Sequence, residues 1–181
     1  MGIAGIGAAV FLDRDGVLNA AQIGADGIPR PPENAEDVVV LAGVPEACRA
    51  LRDAGFKLIV VTNQPDVARG TQRREEVEAI NKRLSNEVRV DDVLVCYHDD
   101  GDGCSCRKPK PGLLFEAAKR WSIDVSGSFM VGDRWRDIEA ARRAGCRSVL
   151  ISEYSSNEER CGPDYIAPSL SVAAGWILAQ Q

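Results

Sequence analysis

Histidine is almost missing from this sequence: His98 is the single one among 181 residues. Basic charge is also short, with 22 Lys and Arg against 27 Asp and Glu and a net charge of −5. A general nucleic-acid surface is normally basic, so the balance argues against a nucleic-acid partner. It leaves room for a small phosphorylated ligand held by a few local groups. Long hydrophobic runs are lacking too. The most apolar stretch, GIAGIGAAVFL at the N-terminus, has no leading basic region and is too short to span a bilayer. It runs straight into Asp13-Arg14-Asp15, the pattern of a buried strand entering an acidic loop. The expectation is a cytoplasmic protein with no membrane partner. No repeat or low-complexity tract interrupts it, and the length suits one domain, 1–181, with a proper core; a monomer is expected.

Without a secretory signal, the six cysteines are read as reduced rather than disulfide-bonded. Cys48, Cys146 and Cys161 are scattered and read as packing or idle thiols. The other three and the lone histidine fall within residues 96–106, CYHDDGDGCSC. Three thiolates and an imidazole (Cys96, His98, Cys104 and Cys106) compose a closed structural zinc site, although the Cys-x-His and Cys-x-Cys pairs are tighter than common finger spacings. An EF-hand frame fails from either Asp99 or Asp100, so DDGDG reads as a solvated acidic turn. A Cys/His nucleophilic dyad is the rival reading, and it leaves two thiols without a task. If His98 is spent on a metal, no imidazole remains for acid–base work. A Ser-His-Asp hydrolase and a histidine phosphatase are then excluded, and a carboxylate must carry the proton.

Short apolar runs alternate with longer amphipathic ones. Strands are expected at 8–12, 57–63, 93–97, 128–133 and 148–152, with helices at 44–55, 71–88, 111–121 and 136–145. A short extended piece at 165–167 and a last helix near 171–180 complete the order. Alternating β and α units imply a mainly parallel sheet with helices on both faces. Residues 20–41 break the rhythm, being rich in Gly and Pro, and read as an excursion over the first strand's carboxyl end. No large cap domain fits into this length.

Ligands of open α/β sheets bind outside the carboxyl ends of the strands. Those ends carry Asp13 and Asp15, then Thr62, Asn63 and Gln64, then the cysteine cluster with Arg107 and Lys108, then Asp133 with Asp137 one turn on. Singly, each is an ordinary turn or cap residue. Four such sets at successive strand ends suit phosphoryl transfer, which is mostly positioning and charge stabilisation. Clustered carboxylates would repel a phosphate unless Mg²⁺ intervened. Thr62 would donate to a phosphoryl oxygen, Lys108 would neutralise charge, and a carboxylate would serve as nucleophile.

FLDRDGVLN, VVTNQPDVARG, CRKPKPG and MVGDRWRDIEAARRAG closely resemble the four ordered motifs of the haloacid dehalogenase (HAD) superfamily, in its capless branch, across about residues 8–152. The resemblance implies a three-layer α/β/α Rossmann-like HAD fold with a mainly parallel central sheet and a zinc-bound loop. It makes Asp13 the nucleophile and Asp15 the general acid, then base. Thr62 and Lys108 hold phosphoryl oxygens, and Mg²⁺ takes Asp13, the Asp15 backbone carbonyl and Asp133 with support from Asp137. Asn63 and Gln64 line the site, and Arg107 contacts the rest of the substrate, a small phosphorylated sugar. In that branch a Cys-x-His…Cys-x-Cys zinc loop directly precedes the Arg-Lys pair.

Some residues depart from the family pattern: Pro65-Asp66 follows Gln64, Arg134-Trp135 follows Asp133, and Lys110 stands where a His is common. The excursion at 20–41 is also longer. These lie around the substrate. Arg14, Arg69, Arg107, Lys110 and Arg134 form a basic complement suited to a second phosphate, pointing to a heptose 1,7-bisphosphate losing its C7 phosphate. The alternatives are histidinol phosphate as substrate and, outside enzymes, a zinc-stabilised interaction module.

Overall fold

The computed structural model describes residues 7–24, 27–152 and 161–181. Residues 1–6 of the apolar N-terminal run lie outside the described residues. Six strands form the central sheet: β1 (Ala9–Leu12), β4 (Lys57–Asn63), β5 (Asp92–Cys96), β6 (Phe129–Gly132), β7 (Arg147–Ile151) and β8 (Tyr165–Ala167). Their order is β5-β4-β1-β6-β7-β8, and every pairing is parallel. Between β1 and β4, the short strands β2 (Gln22–Ile23) and β3 (Pro29–Arg30) pair as an antiparallel ribbon within the excursion.

All four residues of β1 are fully buried, because helices cover both faces of the sheet. Val10 and Leu12 pack with Val44, Cys48 and Leu51 of α1 (Val44–Asp53) and with Leu170, Ala173 and Ile177 of α5 (Leu170–Leu178). Ala9 and Phe11 point the other way, toward Leu113, Leu114 and Ala117 of α3 (Gly112–Trp121) and Ala141 of α4 (Trp135–Ala144). Period-two alternation therefore feeds two cores. Cys48 and Cys146 sit one in each, as packing residues.

The helix expected from residue 71 begins at Arg74 and runs as α2 (Arg74–Val88). The delay has a local cause: the Thr71 and Gln72 N–H groups both bond to the Asp66 carbonyl (2.9 and 3.1 Å), closing a turn first. Ile80 and Leu84 of α2 pack on Val38 of the excursion. The last helix starts at Leu170, where Ser169 supplies the cap by accepting from the Val172 N–H. Among the described residues no helix is long and apolar enough to cross a membrane.

After β5 the chain crosses back over β1 to begin β6 on its far side. That reversal makes the carboxyl end of β1, between β4 and β6, a topological switch point where loops part and a crevice opens.

Candidate active site and metal loop

A cavity of about 460 Å³ opens at that reversal, lined among others by Asp13, Asp15, Thr62, Asn63, Gln64, Arg107, Lys108, Asp133, Arg134 and Asp137. The strand ends thus bring together every residue expected at the phosphate site. Asp13 directly follows β1, and its N–H bonds to the Val131 carbonyl of β6 (2.9 Å). Lys108, only 2% exposed, uses all three ammonium protons: on the Val61 carbonyl (2.7 Å), Asp13 Oδ1 (2.9 Å) and Asp137 Oδ1 (2.6 Å). Burial alone would favour the neutral amine. The two carboxylates outweigh it and push the Lys108 pKa above its ordinary value.

Asn63 and Gln64 line the cavity, but their amides are spent on the protein. Asn63 clamps the Lys108 backbone, donating to its carbonyl (3.0 Å) and accepting from its N–H (3.1 Å). Gln64 donates to Asp15 Oδ2 and to Thr62 Oγ1, each at 2.9 Å. With its oxygen already accepting, the buried Thr62 hydroxyl keeps its proton for a ligand.

Arg14 does not join the rim as the basic pattern implied. It is fully buried, with Nη2 on Asp15 Oδ2 (2.9 Å) and Nη1 on Asn81 Oδ1 of α2 (2.9 Å). A guanidinium adjacent in sequence to a buried carboxylate satisfies that charge rather than an incoming one. Burial pushes the Asp15 carboxyl up, but Arg14 and the hydrogen bonds from Asn19 and Gln64 hold it below its ordinary value. Asn19 and Asn81 were not foreseen; Asn19 lies inside the FLDRDGVLN motif, whereas Asn81 is brought in by tertiary packing alone.

Asp13, Asp133 and Asp137 each place an oxygen within 4.8 Å of the others. Asp13 is pushed up to about 6 by burial, eased by Lys108 and raised again by Asp137 and Asp15. Asp133 is pushed up to about 8 by burial, with Asp13 and Asp137 adding to it. Asp133 Oδ1 is buried with no hydrogen-bond partner among the described residues. Gly16 (φ 83°) and Gly132 make room for this crowding, since a Cβ on either would collide with the carboxylate of Asp133 or Asp137. An orphaned buried oxygen among like charges fits a hard divalent cation.

At the end of β5, Cys96 Sγ lies 3.8 Å from Cys104 Sγ, 3.6 Å from His98 Nδ1 and 3.1 Å from Cys106 Sγ, and Cys106 Sγ lies 3.3 Å from His98 Nδ1. A tetrahedral ion with bonds of about 2.3 Å to sulfur and about 2.0 Å to nitrogen sets edges of about 3.8 and 3.5 Å, so the four groups can hold a metal. None of the six cysteines forms a disulfide among the described residues. The acidic turn is ion-paired, not merely solvated: Asp99 accepts from Arg69 (2.7 Å), and Asp100 Oδ1 from Arg107 Nε (2.7 Å) and Arg136 Nη1 (3.0 Å). Those two guanidiniums pull the Asp100 carboxyl down to about 2. Lys110, read above as facing a second phosphate, instead bonds the Cys104 carbonyl (2.6 Å) and stitches the loop.

Comparison with known proteins places this geometry among phosphatases. Residues 105–173 match the HAD-hydrolase-like family model. The D-glycero-beta-D-manno-heptose-1,7-bisphosphate 7-phosphatase of Yersinia pestis is 33% identical over 182 residues, covering 94% of this chain and 89% of that protein. The same enzyme of Pseudomonas aeruginosa is 36% identical over 147 residues, covering 78% and 79%. The crystal structure of the D,D-heptose 1,7-bisphosphate phosphatase from B. bronchiseptica, complexed with magnesium and phosphate, superposes with a TM-score of 0.80 at 30% identity, covering 96% of this chain and 99% of that one.

Proposed function

Because the chain belongs to the HAD-like phosphatases, we propose that it hydrolyses D-glycero-D-manno-heptose 1,7-bisphosphate at C7, residues 1–181 acting as one catalytic unit. The observation that carries this reading is the convergence of Asp13, Thr62, Lys108 and Asp133 on one cavity whose rim holds Arg30, Arg69, Arg107, Arg134 and Arg136. Acid groups at the depth of a strand-end crevice suit the chemistry, and guanidiniums around it suit a second phosphate. Arg107 Nη1 is buried with no partner among the described residues, a donor waiting for an acceptor.

Asp13 attacks phosphorus through a carboxylate oxygen, and the bond from phosphorus to the sugar oxygen breaks. Asp15 gives that oxygen its proton; the arriving phosphate dianion raises the proton affinity of a carboxyl otherwise held down by Arg14. Water then attacks the aspartyl-phosphate, Asp15 takes its proton, and Asp13 is released with inorganic phosphate. Thr62 donates to a phosphoryl oxygen, and Lys108 turns to another the proton that Asp13 Oδ1 accepts before substrate arrives, while Asn63 fixes Lys108 and Gln64 fixes both Thr62 and Asp15. Asp13, the Asp15 backbone carbonyl and Asp133 would hold Mg²⁺, with Asp137 in support. When bound, the ion offsets the charge between carboxylates and phosphate. Cys96, His98, Cys104 and Cys106 would hold a structural Zn²⁺ that seats Arg107 and Lys108.

Phosphate release from the heptose bisphosphate, histidinol phosphate and a simple phosphomonoester, with Mg²⁺ and with chelator, tests the reading. The bisphosphate is expected to lead, and Asp13→Asn to cost at least about a thousandfold in kcat. A lead for histidinol phosphate would overturn the substrate, and turnover surviving Asp13→Asn would overturn the mechanism.

A further inference from the structure

Trp135 opens α4 with 43% of its surface exposed, although tryptophan is usually well buried. It lines the same cavity as Asp13 and Lys108, and among the described residues it is the one aromatic that does so. Its place is rigid. The Arg134 N–H bonds to Asp137 Oδ2 (3.1 Å), closing the first turn of α4, and Asp137 is itself locked on Lys108. The Arg136 guanidinium lies 5.3 Å from the indole centroid while bonded to Asp100, bracing the ring against the metal loop.

Most of the cavity is charged or amide-bearing, which serves phosphates but not the body of a sugar. Apolar wall comes from Trp135, from Pro29 of β3 and the adjoining Pro31, and from Ala21 and Pro65. Pockets combine such apolar walls with a few orienting polar groups. The face of a sugar ring is lined by C–H bonds, which pack on the electron-rich face of an indole. We propose that Trp135 is a specificity-determining residue: its indole face, with Pro29 and Pro31, packs against the C–H face of the substrate's sugar ring and selects a ring-bearing phosphate over an acyclic one. This rests on the cavity being a sugar-phosphate site, as read above.

The test compares heptose 1,7-bisphosphate with acetyl phosphate, which has no ring. Trp135→Ala lowers the ratio of their kcat/KM values about tenfold, the loss falling on KM rather than kcat, and Trp135→Phe recovers most of it. Independently of turnover, heptose 1-phosphate quenches the fluorescence of the wild-type protein, and Trp135→Ala loses that component. An unchanged ratio together with unchanged quenching in Trp135→Ala overturns the inference. A wild-type protein showing no preference for the heptose over acetyl phosphate overturns the sugar-phosphate reading itself, and this inference with it.

Discussion

Four carboxylates, Asp13, Asp15, Asp133 and Asp137, crowd one end of the cavity, while two buried cations, Arg14 and Lys108, answer them. Two negative charges are left over, the deficit that one divalent cation offsets. The consequence for pH follows from Asp13 and Asp133, pushed up to about 6 and about 8. Both bind protons more tightly folded than unfolded, where a carboxyl titrates near 4. At these two groups the metal-free native state therefore holds more protons than the unfolded chain across that window, and the stability they contribute falls as pH rises from about 4 to about 8. Mg²⁺ replaces those protons, so its stabilising effect grows over the same range. Thermal melts should show a larger gain in Tm from Mg²⁺ at about pH 8 than at about pH 5, with proton release on binding at neutral pH. Equal gains at both would contradict the cluster's assignment.

At the scale of elements, the segment between β5 and α3 has almost no regular structure beyond one 3-10 turn, Asp100–Asp102. Its shape comes from cross-links: four metal-capable side chains, the Asp99–Arg69 pair, Lys110 on the Cys104 carbonyl, and the Gly112 N–H on the Ser105 carbonyl (3.2 Å). A Cβ on Gly112 would strike the Ser105 backbone, so loop and helix start meet at contact distance. Arg107 and Lys108, the cations proposed to meet the substrate, follow Cys106 directly, hence losing the clamp should displace them. On the proposed zinc assignment, Cys104→Ser should remove about one equivalent of bound zinc per chain and lower turnover about tenfold or more at saturating Mg²⁺. Metal analysis beside phosphate release checks both, and full turnover after zinc loss would show the loop to be dispensable.

For the whole molecule, stability lies in the two apolar layers, and Phe129 anchors one of them. It is buried between Phe56 and Trp176 in edge-to-face contacts at 5.8 and 5.9 Å, under the Arg147 guanidinium at 4.1 Å. Phe129→Ala should cost about 3–5 kcal/mol, read as a fall in the urea midpoint with metal sites loaded. An effect below about 1 kcal/mol would mean the core collapses around the gap.

Much of this was legible in the residues alone. Strands such as Lys57–Asn63 and Tyr165–Ala167 have the bounds their apolar runs predict, because local burial and β-branching decide them. The convergence of Asp13, Thr62, Lys108 and Asp133 was legible because parallel strands deliver their carboxyl ends to one edge, and that of the Cys/His cluster because its four groups lie close in sequence. Pairing between distant side chains was not legible. Arg14 looked available until Asn81 and Asp15 enclosed it, Lys110 until the Cys104 carbonyl took it, and Asp100 until Arg107 and Arg136 met it. The start of α2 shifted because Asp66 captured two N–H groups first. Composition and period determine which residues are buried and which elements form, since both depend on near neighbours. Which charge satisfies which is a competition among partners far apart in sequence, as for Asp13 and Lys108, 95 positions apart, and only the folded chain decides it.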